Sequence, residues 1–322
     1  MTSDAFAAAV SALDTAEQLV LACHVGPDGD ALGSMLGLGL AARRAGKHVI
    51  ASFGTPFVVP AAYRFLNTDL LVAPSSVPPA PELLVTFDAG SADRLGELAG
   101  VASKAGTVVV IDHHVTNTGF GHVNLIDAGA AATAEIVVGL LDALDWEIDE
   151  VIAMALLTGL VTDTGRFQYS NTTPRTLRAA ARMVEAGARP EVIGQYVYEE
   201  TPFGYLHAAG AVLARAQLDA SRRFVWSVLT IEDLKDAGIS PNDTDPLIDV
   251  VRTAAESDVA LLVKEVDRGR VKGSLRSRGR VDVGAIAVAL GGGGHHNAAG
   301  FTFDGSAEEA VEAVRSRLDP IE

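Results

Sequence analysis

Cysteine is all but missing. Cys23 stands alone among 322 residues, so no intrachain disulfide forms and a reducing, cytosolic setting is expected. Cys23 directly follows the apolar stretch 19–22 and reads as a small core residue. Basic residues are scarce too: 25 Lys and Arg face 41 Asp and Glu, a formal net charge of −16. A field of that sign repels polyanions, which excludes long duplex nucleic acid as a partner. Small anions stay open as substrates, because bound metal ions and local basic clusters reverse the potential inside a cleft. Long apolar runs are also missing, none approaching the ~20 residues that span a bilayer. The opening Met1-Thr-Ser-Asp-Ala-Phe lacks the basic segment of a secretory signal. A soluble, cytoplasmic protein with no membrane partner is the expectation.

What is present is a globular composition, 48% hydrophobic and 20% charged, at a length that accommodates two cores. Strand-like runs at 18–24, 48–53, 83–87 and 107–111 alternate with helical patterns at 31–45, 93–102 and 131–144. That rhythm predicts an α/β fold with a parallel sheet flanked by helices. Helices follow at 149–160 and 175–186, the second opened by Thr173-Pro174 and closed near Gly187. A stretch from 191 to 218 with no clean apolar face reads as a helical connector. Strand-like 223–230, 259–266, 271–275 and 300–303, with helices at 231–237, 246–256, 283–290 and 306–318, then predict a second, smaller α/β domain. The expected division is 1–188, connector 189–218, and 219–322.

Parallel sheets bind ligands at the carboxyl ends of their strands. At or just beyond those ends stand His24-x-x-x-Asp28-x-Asp30, Asp88 and Asp112-His113-His114, and Asp163 too is placed just after a strand-like run. Taken singly, Asp28-Gly-Asp30 reads as a turn or helix cap, Asp88 as a helix-entry residue, Asp163 as a helix-end turn, and either histidine as structural. Four clusters at strand or apolar-run ends read instead as one centre. Four Asp carboxylates and two imidazoles form a mixed oxygen and nitrogen set, which suits a Mn-like ion better than thiolate zinc or all-oxygen calcium sites. The four negative charges balance two divalent cations.

The ordered set resembles the DHH phosphoesterase superfamily, which includes RecJ-type nucleases and family II inorganic pyrophosphatases. The motifs that carry the resemblance are His24-Val-Gly-Pro-Asp28-Gly-Asp30-Ala-Leu-Gly-Ser34, Phe87-Asp88-Ala-Gly-Ser91, Asp112-His113-His114 and Thr162-Asp163-Thr-Gly165. The resemblance implies two Mn(II) ions, for which Mg or Co could substitute. His24, Asp28 and Asp88 would hold the first, and Asp30, Asp88, His113 and Asp163 the second. It also implies that His114 lies beside the substrate phosphate as a donor or acid and that Asp112 orients an imidazole.

In the second domain Lys264, Arg268, Arg270, Lys272, Arg276, Arg278 and Arg280 locally reverse the overall charge. Most read as a solvated hairpin edge. Arg276, in Ser274-Leu-Arg-Ser277, is the candidate phosphate ligand, for its bidentate fork. The run Gly291-Gly-Gly-Gly-His295-His-Asn-Ala-Ala-Gly300 would be a linker elsewhere. Between a helix and a strand it offers backbone amides to an anion through Gly293 and Gly294, with His295 to hydrogen-bond or stack on a base. The segment resembles the signature of the DHHA1 substrate-binding domain, and the stretch ending at Ser277 resembles the one that accompanies it.

A DHH domain followed by a DHHA1 domain resembles the bacterial nano-RNases. The resemblance implies hydrolysis of short oligoribonucleotides such as nano-RNA and pApA to nucleoside monophosphates, and dephosphorylation of 3′-phosphoadenosine 5′-phosphate (PAP). Cyclic di-AMP cleavage, or polyphosphate or pyrophosphate hydrolysis on the same metal core, is the alternative. Short RNA oligonucleotides or small nucleotides are the expected partners, and a homodimer is left open. A nucleotide sensor without chemistry is opposed by the intact set of candidate ligands.

Overall fold

The computed structural model describes residues 3–320, in two compact units that divide between Glu199 and Glu200. The first unit begins α1 (Ser3–Thr15), β1 (Gln18–Cys23), α2 (Gly29–Arg44), β2 (His48–Phe53), β3 (Leu83–Phe87) and α3 (Ala99–Ala102). It continues with β4 (Thr107–Asp112), β5 (Val123–Ile126), α4 (Thr133–Ala143), α5 (Glu150–Asp163), α6 (Pro174–Glu185) and α7 (Pro190–Gly194). The five strands form one parallel sheet in the order β2-β1-β3-β4-β5. β3 is buried along its whole length, so its sequence reads as an unbroken apolar run. The order reverses between β1 and β3, and a sheet of this topology opens its binding crevice there, beyond the strand ends.

Helix α2 is buried from Gly29 to Ala42 because it is sandwiched. It lies so close to α5 that a Cβ on Gly33 would stand 2.3 Å from the Ala155 carbonyl oxygen. On Gly37 it would stand 2.6 Å from the Leu156 side chain, and on Gly29 2.5 Å from the Thr162 hydroxyl. Glycine at every fourth position thus allows a near-contact crossing. Its consequence is that the start of α2, with Asp28 and Asp30, meets the end of α5, with Asp163.

The second unit holds α8 (Phe203–Ala214), β6 (Gln217–Asp219), β7 (Phe224–Leu229), α9 (Ile231–Ala237), α10 (Leu247–Val251) and β8 (Val259–Asp267). After these come β9 (Arg270–Ser277), α11 (Val283–Ala289), β10 (Gly293–His295), β11 (Ala298–Asp304) and α12 (Ala307–Arg315). Its sheet runs β10-β11-β9-β8-β7-β6, and only β7 and β8 pair in parallel. Alternation along β8 feeds two cores. Leu261 and Val263 pack with α11 and α12, while Ala260 and Leu262 pack with α8, α9 and α10.

Three expected helices come out differently. The stretch 191–218 is not one helix: α7 runs into a short π-helical turn, Gln195–Glu199, and the chain breaks before α8. Pro202 explains the break, since it lacks an N–H and disfavours helix in the residue before it. The stretch 93–102 forms 3₁₀ turns kinked at Gly96, whose φ is +60°. The stretch 246–256 keeps only the five residues of α10. Among the described residues no helix is long and apolar enough to cross a membrane.

Candidate metal centre

His24 follows β1 directly. Its Nδ1 lies 3.0 Å from the carbonyl of Val25, which can only accept, so Nδ1 carries a proton. Nε2 then faces Asp28 Oδ2 at 3.7 Å and Asp88 Oδ2 at 3.6 Å. Asp28 serves two ends. Its Oδ1 caps α2 by accepting the amides of Asp30 and Ala31, at 3.1 and 3.0 Å, which leaves Oδ2 toward His24. The cap reading and the ligand reading of Asp28 thus draw on different oxygens.

Asp30 is fully buried. Oδ2 accepts the Thr133 amide at 2.6 Å; Oδ1 accepts the Ala134 amide at 2.9 Å and the Ser34 hydroxyl at 3.0 Å. Helix α4 has Ala132 at its N-cap and no side-chain cap of its own. A carboxylate more than a hundred residues away in sequence fills that role, where the helix dipole favours an anion.

Asp88 follows β3 with φ +54°, a left-handed conformation for a residue with a Cβ, pinned by its amide donating to Ile111 O at 3.1 Å. Its two oxygens face different histidines. Oδ2 looks to His24, while Oδ1 lies 3.5 Å from His113 Nε2 and accepts the Thr133 hydroxyl at 3.0 Å. His113 is oriented by Ala130 O, 3.3 Å from Nδ1, so that Nε2 meets Asp163 Oδ2 at 3.1 Å and Asp30 Oδ2 at 3.9 Å.

His114 and Asp112 pair at the edge of this cluster, with His114 Nδ1 3.5 Å from Asp88 Oδ1. Buried Asp112 ends β4, and its Oδ1 lies 2.7 Å from His114 Nδ1 while accepting the amides of His113 and His114. Its Oδ2 accepts from Asn117, whose amide group also holds Ala89 O. Asp112 therefore orients the imidazole of His114, and it is Ala130 that orients His113.

The electrostatics follow from burying acids and imidazoles together. Burial disfavours a charged His24, yet Asp28 and Asp88 override it and raise its pKa to about 11. His113 is likewise pushed down by burial and carried well above its ordinary value by Asp163, Asp88 and Asp30. Asp30 goes up, through burial first and then the charges of Asp88 and Asp163. Asp88 goes down, because the histidines outweigh its burial.

A divalent ion fits this donor set. Ligand atoms of His24, Asp28 and Asp88 lie within 4.8 Å of one another, and so do those of Asp30, His113 and Asp163. Two atoms bound at about 2.1 Å to one ion are themselves about 3–4 Å apart. The contacts of His24 and His113 with the carboxylates, 3.1–3.9 Å, span that interval. Asp88 is the carboxylate with one oxygen toward each histidine.

In the second unit the register brings Arg276 and His295 into one row. Arg276 on β9 pairs with Ala298 on β11, and Ala298 pairs with His295 on β10. Directly paired residues share a sheet face, and the small alanine leaves room between the longer side chains. Arg276 Nε lies 3.6 Å from Asp249 Oδ1, and its Nη1 donates to Leu275 O. Ser277, the next residue, alternates to the other face, where it is buried and accepts the Gly279 amide. The glycine run is a tight hairpin. Gly293 and Gly294 pair with Gly300 and Ala299, while the amides of Gly291 and Gly292 close the end of α11.

Comparison with known proteins now decides the family. The model of the DHH family, N-terminal domain, matches residues 18–160, and that of the DHHA1 domain matches residues 207–319. The bifunctional oligoribonuclease and PAP phosphatase NrnA of Thermus thermophilus is 36% identical over 306 residues, 93% of this chain and 90% of that protein. The chain belongs to the DHH family. The NrnA of Bacillus subtilis is 27% identical, covering 90% of each chain. An exopolyphosphatase-related protein of Bacteroides fragilis shares the fold of this DHH chain, with a TM-score of 0.88 over 98% of it and 95% of the other, at 23% identity.

Several residues that shape the centre of this DHH protein escaped the sequence reading. Thr133 and Ala134 supply donors to Asp30 and Asp88. Asn171 ties Ala131 O to Asp163 O, at 3.0 and 3.1 Å. Arg175 joins the buried carboxylates of Asp127 and Glu135, which in turn hold the amides of Gly129 and Ala131. Glu135 offered a signal, an acid in the first turn of an apolar helix; Thr133 among alanines offered none.

Proposed function

We propose that this chain is a Mn-dependent phosphoesterase that cleaves short oligoribonucleotides, nano-RNA and pApA, to nucleoside monophosphates and dephosphorylates PAP to AMP. The observation that carries the reading is Asp88, with Oδ2 toward His24 and Oδ1 toward His113, in a chain whose relatives bear the names oligoribonuclease and PAP phosphatase. His24, Asp28 and Asp88 would hold one ion, and Asp30, Asp88, His113 and Asp163 the other. When bound, a metal pair supplies Lewis acidity to the phosphate and a water acidic enough to attack it at neutral pH.

The remaining chemistry belongs to the chain. Asp112 fixes Nδ1 of His114, which turns Nε2 into the group that donates to the phosphate or its leaving oxygen. The Ala130 carbonyl, 3.3 Å from Nδ1, holds the imidazole of His113 with Nε2 toward Asp88 and Asp163. Arg276, His295, Gly293 and Gly294 of the DHHA1 domain bind substrate, with Arg276 on a phosphate and His295 against a base, whereas Ser277, buried on the opposite face, holds the Gly279 amide instead.

Purified protein with Mn(II) is to be incubated separately with pApA, a short oligoribonucleotide, PAP, cyclic di-AMP and pyrophosphate, and the products separated by chromatography. AMP from pApA and from PAP is the expected result. Turnover of pyrophosphate alone would overturn the reading.

A further inference from the structure

Thr133 opens α4 and is fully buried. Its amide donates to Asp30 Oδ2 at 2.6 Å, and its hydroxyl to Asp88 Oδ1 at 3.0 Å. The direction of the second bond is fixed, because an ionised carboxylate only accepts. One residue therefore holds two acids that arrive on different elements, one from α2 and one from the turn after β3.

That matters most for Asp88. The torsion that turns a carboxylate about its Cβ–Cγ bond is broad and roughly two-fold, so the side chain alone does not choose a plane. Asp88 needs a definite plane, since Oδ1 faces His113 at 3.5 Å and Oδ2 faces His24 at 3.6 Å. A buried donor on one oxygen selects it. Thr133 is itself fixed from outside the centre. Glu135 Oε2 accepts the Ala131 amide at 3.0 Å and the Thr176 hydroxyl at 2.9 Å, and Arg175 clasps both Glu135 and Asp127. Asn171 ties the same loop to Asp163. The loop before α4 is a frame that spans the candidate ligands without supplying one.

We propose that Thr133 is a positioning residue of the metal centre: its hydroxyl fixes the plane of Asp88 so that each oxygen serves one ion, and its amide fixes Asp30 beside it. The inference rests on the two-metal reading above and adds the residue that makes Asp88 a bridge. Thr133→Val keeps the shape and the amide and removes only the hydroxyl; Thr133→Ser keeps the hydroxyl.

The test is a titration of the full chain with Mn(II), read by calorimetry and by the electron paramagnetic resonance of free ion, beside thermal melts in chelator. Thr133→Val is expected to bind the ions about 10–100-fold more weakly, the scale for losing a partner that orients a metal ligand. Its melt in chelator should stay near that of wild type, and Thr133→Ser should restore affinity. Should Val not fold, Thr133→Ala makes the same comparison with less crowding. Wild-type Mn(II) affinity in the Val or Ala variant overturns the proposal, as does a Ser variant as weak as Val, which would assign the effect to packing. Wild-type protein that binds no Mn(II) overturns the metal reading and this inference together, so the two failures are told apart by the wild-type titration.

Discussion

Replacing Asp30 by alanine should destabilise the first unit even with every metal ion removed, because Asp30 caps α4 from a distance. The change strips the acceptor from two amides, Thr133 N and Ala134 N, and from the Ser34 hydroxyl. A buried donor left without a partner costs about 1–3 kcal/mol. Losing an anion at a helix N-terminus adds about 0.3–1 kcal/mol. Relief of repulsion with Asp88 and Asp163, which drives the Asp30 pKa up alongside burial, works the other way. Taking two amides near the middle of the range and allowing for that relief leaves a net loss of about 3 kcal/mol. For a unit of this size that is about 6–12 °C in Tm. The chain has two tryptophans, Trp146 in the first unit and Trp226 in the second. In a Trp226→Phe background, urea unfolding in chelator followed by Trp146 fluorescence reads the first unit alone. Asp30→Asn, which keeps one acceptor oxygen, should lose roughly half as much. A stability of Asp30→Ala within about 0.5 kcal/mol of its background, the usual scatter for a neutral surface change, would refute the capping argument.

Other perturbations follow from single contacts. Gly33→Ala puts a methyl group 2.3 Å from the Ala155 carbonyl oxygen; the forced separation of α2 and α5 should cost about 1–3 kcal/mol by denaturant unfolding. It should also weaken Mn(II) binding by moving Asp30 away from Asp163. His114→Ala should lower kcat on pApA by about 10²–10⁴-fold, the range for a general acid, with the stoichiometry of Mn(II) unchanged, and Asp112→Asn should fall on the same side of wild type. In the second unit Arg215 holds the Asp233 pKa down to about 2. Because the folded value lies below the unfolded one, that pair stabilises at pH above about 4 and its contribution is lost as pH falls through about 2. Arg215→Met should therefore flatten the acid side of the stability profile, measured by thermal melts from pH 2 to 6.

What the sequence made legible follows from how local each signal is. β3 and β4 were readable as near-unbroken apolar runs because a parallel sheet covers both faces. β5 escaped notice because it has four residues and only Leu125 is fully buried. Most candidate ligands were readable because they follow strand ends, whereas Asp163, expected after a strand-like run, closes helix α5; Asp28 looked like a helix cap because it is one. What holds those groups was hidden. The bonds from Thr133 and Ala134 to Asp30 depend on helix packing across more than a hundred residues, as does the glycine-mediated approach of α2 to α5. In the DHHA1 domain Arg276 and His295 were singled out separately, and only strand register shows that one alanine lies between them while Ser277 points to the opposite face.

The central claim is that one carboxylate, Asp88, would help hold two metal ions in a chain that hydrolyses a phosphodiester. Its most direct test is the Mn(II)-dependent turnover of pApA by Asp88→Ala beside wild type, with folding verified by thermal melts. Loss of turnover in the variant by at least about 10³-fold, with wild type producing AMP, is the expected result, since a ligand is removed from both ions at once. Near-normal turnover in Asp88→Ala would contradict the site and the mechanism built on it.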